Sequence, residues 1–491
     1  MPLPTIPSGN VFSSLPTGFN VDNSCRFNDG DSAKMTRTLG TPTNDKKWTF
    51  SAWVKRCTSG AQQILFEGFG NAANYDIIEL GSSDQLKYKS VSSSSESANQ
   101  TTNMLFRDVS AWYHIVVAQD STQASAGNRL KIYVNGAQVT SLATDTQMPE
   151  NHANHMNVAN EHNVAASKGA GGGSLAAYFD GYMAEVVFID GTQYAASDFG
   201  EFDEDSPTIW KPKDVSGLTY SGNSFYLDFE DSSNLGNDAN GGTDWTETNL
   251  AAADQATDTP TNNFCTFNVI NPTFTGTNSE GNLKHLSSSS AWRAIYGTIP
   301  FTTGKWYAEF KMVAEGSSAG PGVINIDTIA GVDTFRYDET NRGLGQGENA
   351  VAYLSNAQIL DGGNTIKTGQ TTWTDNDILG VAIDATNGFV YWHKNGTYLD
   401  GATSGTTVGV PTSGGSGTGG YPLADLVAAN GTYLFGVGGD DAWNVEANFG
   451  GCSAFTVSSA NQDGNGYGNF EYAVPSGYLA LCTKNLGSDG G

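Results

Sequence analysis

The chain has 491 residues, enough for two or three domains that each bury a core. Its 60 glycines, 11% aromatic residues and low charged fraction of 15% suit short strands joined by many turns and argue against a helical bundle. Fifty-one acids against 24 bases give a formal charge of −27, which repels phosphate backbones and anionic lipid and argues against nucleic acid as a partner.

Residues 1–21, "MPLPTIPSGNVFSSLPTGFNV", are rich in Pro, Ser and Gly and read as an N-terminal arm. The stretch has neither the basic start nor the apolar centre of a secretory signal, and no later run reaches membrane-spanning length, so folding in a cytoplasm without membrane insertion is expected. A first sandwich is expected over 22–212. In "WTFSAWVKR", Trp48, Phe50, Ala52 and Val54 share a face. In "AWYHIVVAQ", Trp112, His114, Val116 and Ala118 alternate with Tyr113, Ile115 and Val117. "LKIYVNGAQV" reads as strand, Asn135-Gly136 turn and returning strand, because a type I′ turn needs positive φ at both central residues. "FDGYMAEVVFIDG" sets Tyr182, Ala184, Val186 and Phe188 against Met183, Glu185, Val187 and Ile189.

Residues 213–270, crowded with Gly, Asn, Asp and Pro, read as a structured linker. A second sandwich with a C-terminal tail is expected over 271–491. Its opening strand, "GKWYAEFKM", points Trp306, Ala308, Phe310 and Met312 inward and Lys305, Tyr307, Glu309 and Lys311 outward. "FVYWHKNGTYLDG" repeats the Asn-Gly hairpin, and "TSGGSGTGGYP" reads as a surface loop too glycine-rich to pack. Five scattered cysteines without a CxxC pair read as buried small hydrophobes.

"RFNDGDSAKMTRT", "WTFSAWVKR", "WYHIVVA" and "FDGYMAEVVFIDG" together resemble a laminin-G-like, concanavalin A-like domain. "GKWYAEFKM", "DILGVAIDATNGFVYWHKNG" and "VEANFGG" resemble a SPRY domain. The order of the two, the connector "LGNDANGGTDW" to "DTPTNNF" and the closing "VPSGYLALCTKNLG" resemble tail-fibre or other virion structural proteins of marine bacteriophages. The resemblance implies an all-β chain of two tandem concanavalin A-like β-sandwiches of jelly-roll type. It also implies a virion location after synthesis in the host cytoplasm. The expected partners are other virion proteins, a host cell-surface glycan and further copies of the chain as a homo-oligomer.

Catalytic chemistry has weak footing. "EFDEDS" alternates Glu201, Asp203 and Asp205 as glycosidase strands alternate their acids, and retaining hydrolysis needs carboxyls ~5 Å apart. Ser206 stands where a third acid is expected, so a solvated loop is the plainer reading. His152, His155 and His162, with Glu161, have the residue types of a metal site but lie in an Asn-dense polar stretch that reads as surface loop. His114 reads as a core histidine. No nucleophile elbow or Walker loop occurs, so no catalytic residue, metal ligand or cofactor is assigned; calcium is compatible with the acidity but no motif calls for it. Asp440, Asp441 and Trp443, at a turn in "GGDDAWNVEANFG", are the candidate ligand-binding residues: acids for hydroxyls and an aromatic platform for a sugar face. Trp443 capping the core is the competing reading. The expected function is a non-enzymatic virion protein that binds host glycan. The alternatives are a capsid or tail decoration protein with only virion contacts, and a polysaccharide depolymerase.

Overall fold

The structure, a computed structural model, describes residues 18–489 apart from 153, 205, 271–275, 289–291, 317, 327–343, 345–349, 402–406 and 424–430. All but the last few residues of the expected arm therefore lie outside the described residues, as does Asp205. The chain divides into two compact units. One comprises Gly18–Leu286 with Gly451–Thr456, and the other contains Ser287–Gly450 and Val457–Gly491.

The first unit is a sandwich of two antiparallel sheets. In one, Trp112–Asp120, Lys47–Arg56, Gly181–Asp190 and Ser24–Phe27 are successive neighbours. In the other the order runs Leu142–Thr146, Ser95–Leu105, Gln85–Ser92, Asn74–Leu80, Gln63–Asn71, Glu161–Val164, Lys34–Thr38, Thr246–Thr248. The expected inward faces meet between the sheets: Trp48, Phe50, Ala52, Val54, Ile115 and Val117 share one core with Phe66, Ile78 and Tyr88. At Asn135 and Gly136 φ is 47° and 81°, the left-handed pair a type I′ hairpin requires.

Three differences from the sequence reading have clear causes. The alternation in Gly181–Asp190 breaks where the register with Lys47–Arg56 shifts between Ala184 and Val187, and Glu185 takes a φ of 50°. Met183, Val186 and Phe188 consequently face the core together, while Val187 and Ile189 join a second cluster on the other face. Residues 213–270 are built into the unit: Phe225–Leu227 pairs with Gly181–Asp190, and Phe225, Leu227, Phe229, Leu235 and Trp245 lie in the main core. The boundary between units accordingly falls at Leu286, not near residue 270. Finally, Gly451–Thr456 returns to this unit from far along the chain. There Thr257 N donates to Gly451 O at 2.7 Å and Arg26 Nη1 to Ser453 O at 3.0 Å.

In the second unit, Asn444–Asn448, Lys305–Ala314, Ile378–Asp384, Phe389–Lys394 and Thr397–Tyr398 are neighbours in one sheet. Arg293–Tyr296, Tyr433–Asp440, Ser318–Asn325, Ala350–Leu354, Gln358–Asp361 and Asn364–Lys367 are neighbours in another. The second Asn-Gly turn repeats the first, with φ of 45° at Asn395 and 81° at Gly396. Trp306, Ala308, Phe310 and Met312 are buried as expected, but so are Tyr307 and Glu309 on the opposite face. A later segment covers that face: Glu471 N and Tyr472 N donate to the Glu309 carboxylate at 2.9 and 2.8 Å, and Tyr307 Oη at 2.9 Å. Burial pushes the Glu309 carboxyl up to about 7, against the pull of those donors. The glycine-rich stretch also departs from a plain loop, since Pro411–Ser416 forms 3₁₀ turns interrupted by a kink at Gly414 and Tyr421, paired with Val390, is buried. All five cysteines are buried and none is joined in a disulfide.

Candidate functional site

A concavity in the first unit lies against the strand trio Glu161–Val164, Lys34–Thr38 and Thr246–Thr248. Met35 and its partner Val164 belong to the core, so period-two alternation sends Lys34, Thr36 and Thr38 to the opposite face. On the neighbouring strand Thr246 stands opposite Thr36, and Thr248 opposite Lys34. With Lys168 and Leu175 from the following loop, these residues line an open groove of about 290 Å³.

The groove is cationic in a strongly anionic chain. Arg37 Nη1 pairs with the fully buried Asp238 carboxylate at 3.3 Å, and Lys168 Nζ with Glu161 at 2.6 Å. Lys34 differs: its Nζ donates to Thr36 Oγ1 and Thr248 Oγ1, both at 3.1 Å, and among the described residues no carboxylate lies within ion-pair distance. Burial holds its ammonium below the ordinary lysine range and nearby Lys168 adds to that effect, while Glu161 acts against it. Thr36 Oγ1 donates in turn to Asn163 Oδ1 at 2.9 Å, which fixes its rotor.

One wall is held by a buried carboxylate. Glu67 accepts from Ser167 Oγ at 2.5 Å, Gly169 N at 2.7 Å, Asn163 Nδ2 at 2.8 Å and Lys168 N at 2.9 Å. It pins the loop that carries Lys168 to the sheet, although burial still raises its pKa.

The residues singled out from the sequence are placed elsewhere. Trp443 is fully buried, because the chain reverses at Asp441, where φ is 61°, and re-enters the sandwich ahead of buried Val445 and Ala447. The aromatic-platform reading of Trp443 is therefore corrected: a buried ring offers no face to a sugar. Asp441 is exposed and Asp440 half-buried at the same turn, where Asp441 N donates to Asp440 Oδ1 at 3.1 Å. Glu201 and Asp203 both face Lys211 across the short pair Gly200–Phe202 and Trp210–Pro212, at 3.8 and 3.1 Å, and Asp203 is buried. The three histidines do not form one cluster: His152 and His155 lie beside the buried Asp76, whose Oδ2 accepts from His155 N at 2.7 Å, while His162 is held apart from them. Nε2 of His152 bonds Ser90 Oγ at 2.8 Å, and the two ring nitrogens of His162 face the carbonyls of Asn160 and Met156. Among the described residues no His, Cys, Asp or Glu group is arranged to hold a metal. His114 is a core histidine, its Nε2 2.9 Å from Ser51 Oγ and its Nδ1 accepting from Trp210 Nε1 at 3.0 Å; burial drives it down to about 3.

Residues 28–196 match the laminin-G-type family described as the concanavalin A-like lectin/glucanases superfamily. No curated protein matches the chain. Among solved structures, the chain is similar to a heptameric SAP-like pentraxin from Limulus polyphemus, at 12% identity and TM-score 0.27, covering 35% of this chain and 78% of that one. It is also similar to a putative carbohydrate binding protein from Bacteroides ovatus, at 15% identity and TM-score 0.31, covering 47% and 59%. The SPRY domain of human HERC1 is similar at 14% identity and TM-score 0.23, covering 37% and 94%. The segment from Asn28 to Ala196 is thus a concanavalin A-like domain within an all-β chain.

Proposed function

We propose that this chain is a non-enzymatic virion structural protein of a bacteriophage, a tail fibre or similar appendage, whose first sandwich binds a host cell-surface glycan. The observation that carries the binding part is the groove beside Lys34–Thr38. It presents threonine hydroxyls, amphipathic lysine stems and one apolar side chain, Leu175, to a ligand, within a unit whose residues 28–196 match a lectin/glucanase family. The virion part rests on the connector and closing motifs and on the acidity of the chain. The absence of hydrolysis is supported by the state of the two acids that could suggest it: Glu201 and Asp203 converge on Lys211, and Asp203 is buried. A single groove of this size gives modest affinity, which several copies on one particle multiply.

The test is binding of labelled, purified protein to intact candidate host cells and to a panel of bacterial surface glycans, with and without calcium. Saturable binding that competes with infection is expected, with no new reducing ends released from the polymers. Absence of binding even as a multimer would move the chain to a decoration role with contacts only to virion proteins.

A further inference from the structure

We propose that the groove selects a saccharide bearing an anionic substituent, carboxylate or sulfate, and that Lys34 is the residue that receives it. The proposal rests on the glycan-binding reading above and names the ligand class. The three cations in the groove are not equivalent. Arg37 is paired with Asp238 and Lys168 with Glu161, whereas Lys34 is held by two hydroxyls, with no carboxylate within ion-pair distance among the described residues and only the more distant field of Glu161, which is already engaged by Lys168. A partly buried ammonium without a directly paired anion is an unfavourable resting arrangement, and the groove opening lets a ligand supply that partner. An ammonium has three donors, and two are used on Thr36 and Thr248, so one remains for a ligand oxygen. Thr248, accepting from Lys34, keeps its own O–H to donate to the same anionic group.

The rest of the groove suits a sugar better than a bare ion. A space of about 290 Å³ exceeds what a small oxyanion fills. Leu175 offers apolar contact to ring C–H groups, Glu161 can accept from a hydroxyl, and Thr38 and Thr246 add hydroxyl partners. A polyanion such as nucleic acid is disfavoured by the −27 of the whole chain, whereas one substituent needs only the local field around Lys34.

Titration calorimetry on the full chain tests this with four probes: a galacturonate oligosaccharide, a carrageenan oligosaccharide, a neutral cello-oligosaccharide and inorganic sulfate. At least one anionic oligosaccharide is expected to bind at least tenfold more tightly than the neutral one, and more weakly as salt is raised. Lys34→Met should abolish that preference and Lys34→Arg should keep most of it, with melting temperatures of both variants showing that the fold is retained. Thr248→Val is a second variant that should weaken the anionic probe alone. Equal binding of neutral and anionic oligosaccharides, unaltered by Lys34→Met, would overturn the proposal and leave the glycan reading intact. Sulfate binding as tightly as the oligosaccharides would reduce the groove to an adventitious oxyanion site and overturn it too. Failure of every saccharide to bind would remove both.

Discussion

Glu185 carries more than one burden. It sits at the bulge with a φ of 50°, a conformation that costs a β-strand residue free energy, and its carboxyl is buried against Tyr226 Oη at 2.7 Å. Burial raises it to about 8, with Asp228, Glu230 and Asp214 pushing the same way against the Tyr226 hydrogen bond. For an acid whose folded pKa lies above its unfolded value, the stabilising contribution is complete below the unfolded value near 4.5 and is lost as pH rises through about 8. Thermal melts of the wild type and Glu185→Gln between pH 4.5 and 9 should show the wild type losing ground to the variant across that window. Parallel curves would mean that Glu185 does not titrate there. The bulge itself is not legible in "FDGYMAEVVFIDG", where every residue fits a straight alternation. Only the register against Lys47–Arg56 reveals the extra residue.

At the scale of elements, strand existence and inward faces followed from period two and the Asn-Gly turns. What covers a face, or pairs from far away, did not. Tyr307 and Glu309 alternate as solvent-facing residues should, and are buried because Phe470, Glu471 and Tyr472 lie over them, with His393 stacked on Tyr307. The same holds for the groove. "KMTRT" and "TET" each show polar residues on one face, a weak signal in itself. Their adjacency joins Lys34–Thr38 to Thr246–Thr248 across about 200 residues that the eye reads as separate segments. The loop behind the groove hangs on Glu67, whose oxygens accept from two backbone amides and two side chains. Glu67→Gln replaces one acceptor oxygen by an amide donor aimed at other donors, and should cost about 2 kcal/mol in denaturant unfolding. It should also speed proteolysis within 165–177, whereas unchanged cleavage there would deny Glu67 its role as the loop's anchor.

For the molecule as a whole, composition foretold the all-β class and the repeated sandwich motifs foretold two units, while the place where one ends and the other begins had to be seen in three dimensions. Long-range self-repulsion at neutral pH keeps copies apart and leaves association to specific contacts. That protection fades as the carboxylates are protonated. Light scattering of a dilute, low-salt solution should therefore peak near the isoelectric point of about 4.3 and fall again at pH 7. Strong scattering that does not change with pH would point to apolar association instead.

The return of Gly451–Thr456 to the first unit has a consequence for biosynthesis. A ribosome adding about 5–20 residues per second reaches Gly451 many seconds after Leu286 has been made. Through that interval the nascent sandwich waits with Thr257 and the Arg26 guanidinium lacking the carbonyls of Gly451 and Ser453. The first unit is completed only when most of the second has been translated, so a prematurely terminated chain carries an unfinished first sandwich with unpaired edges open to proteolysis.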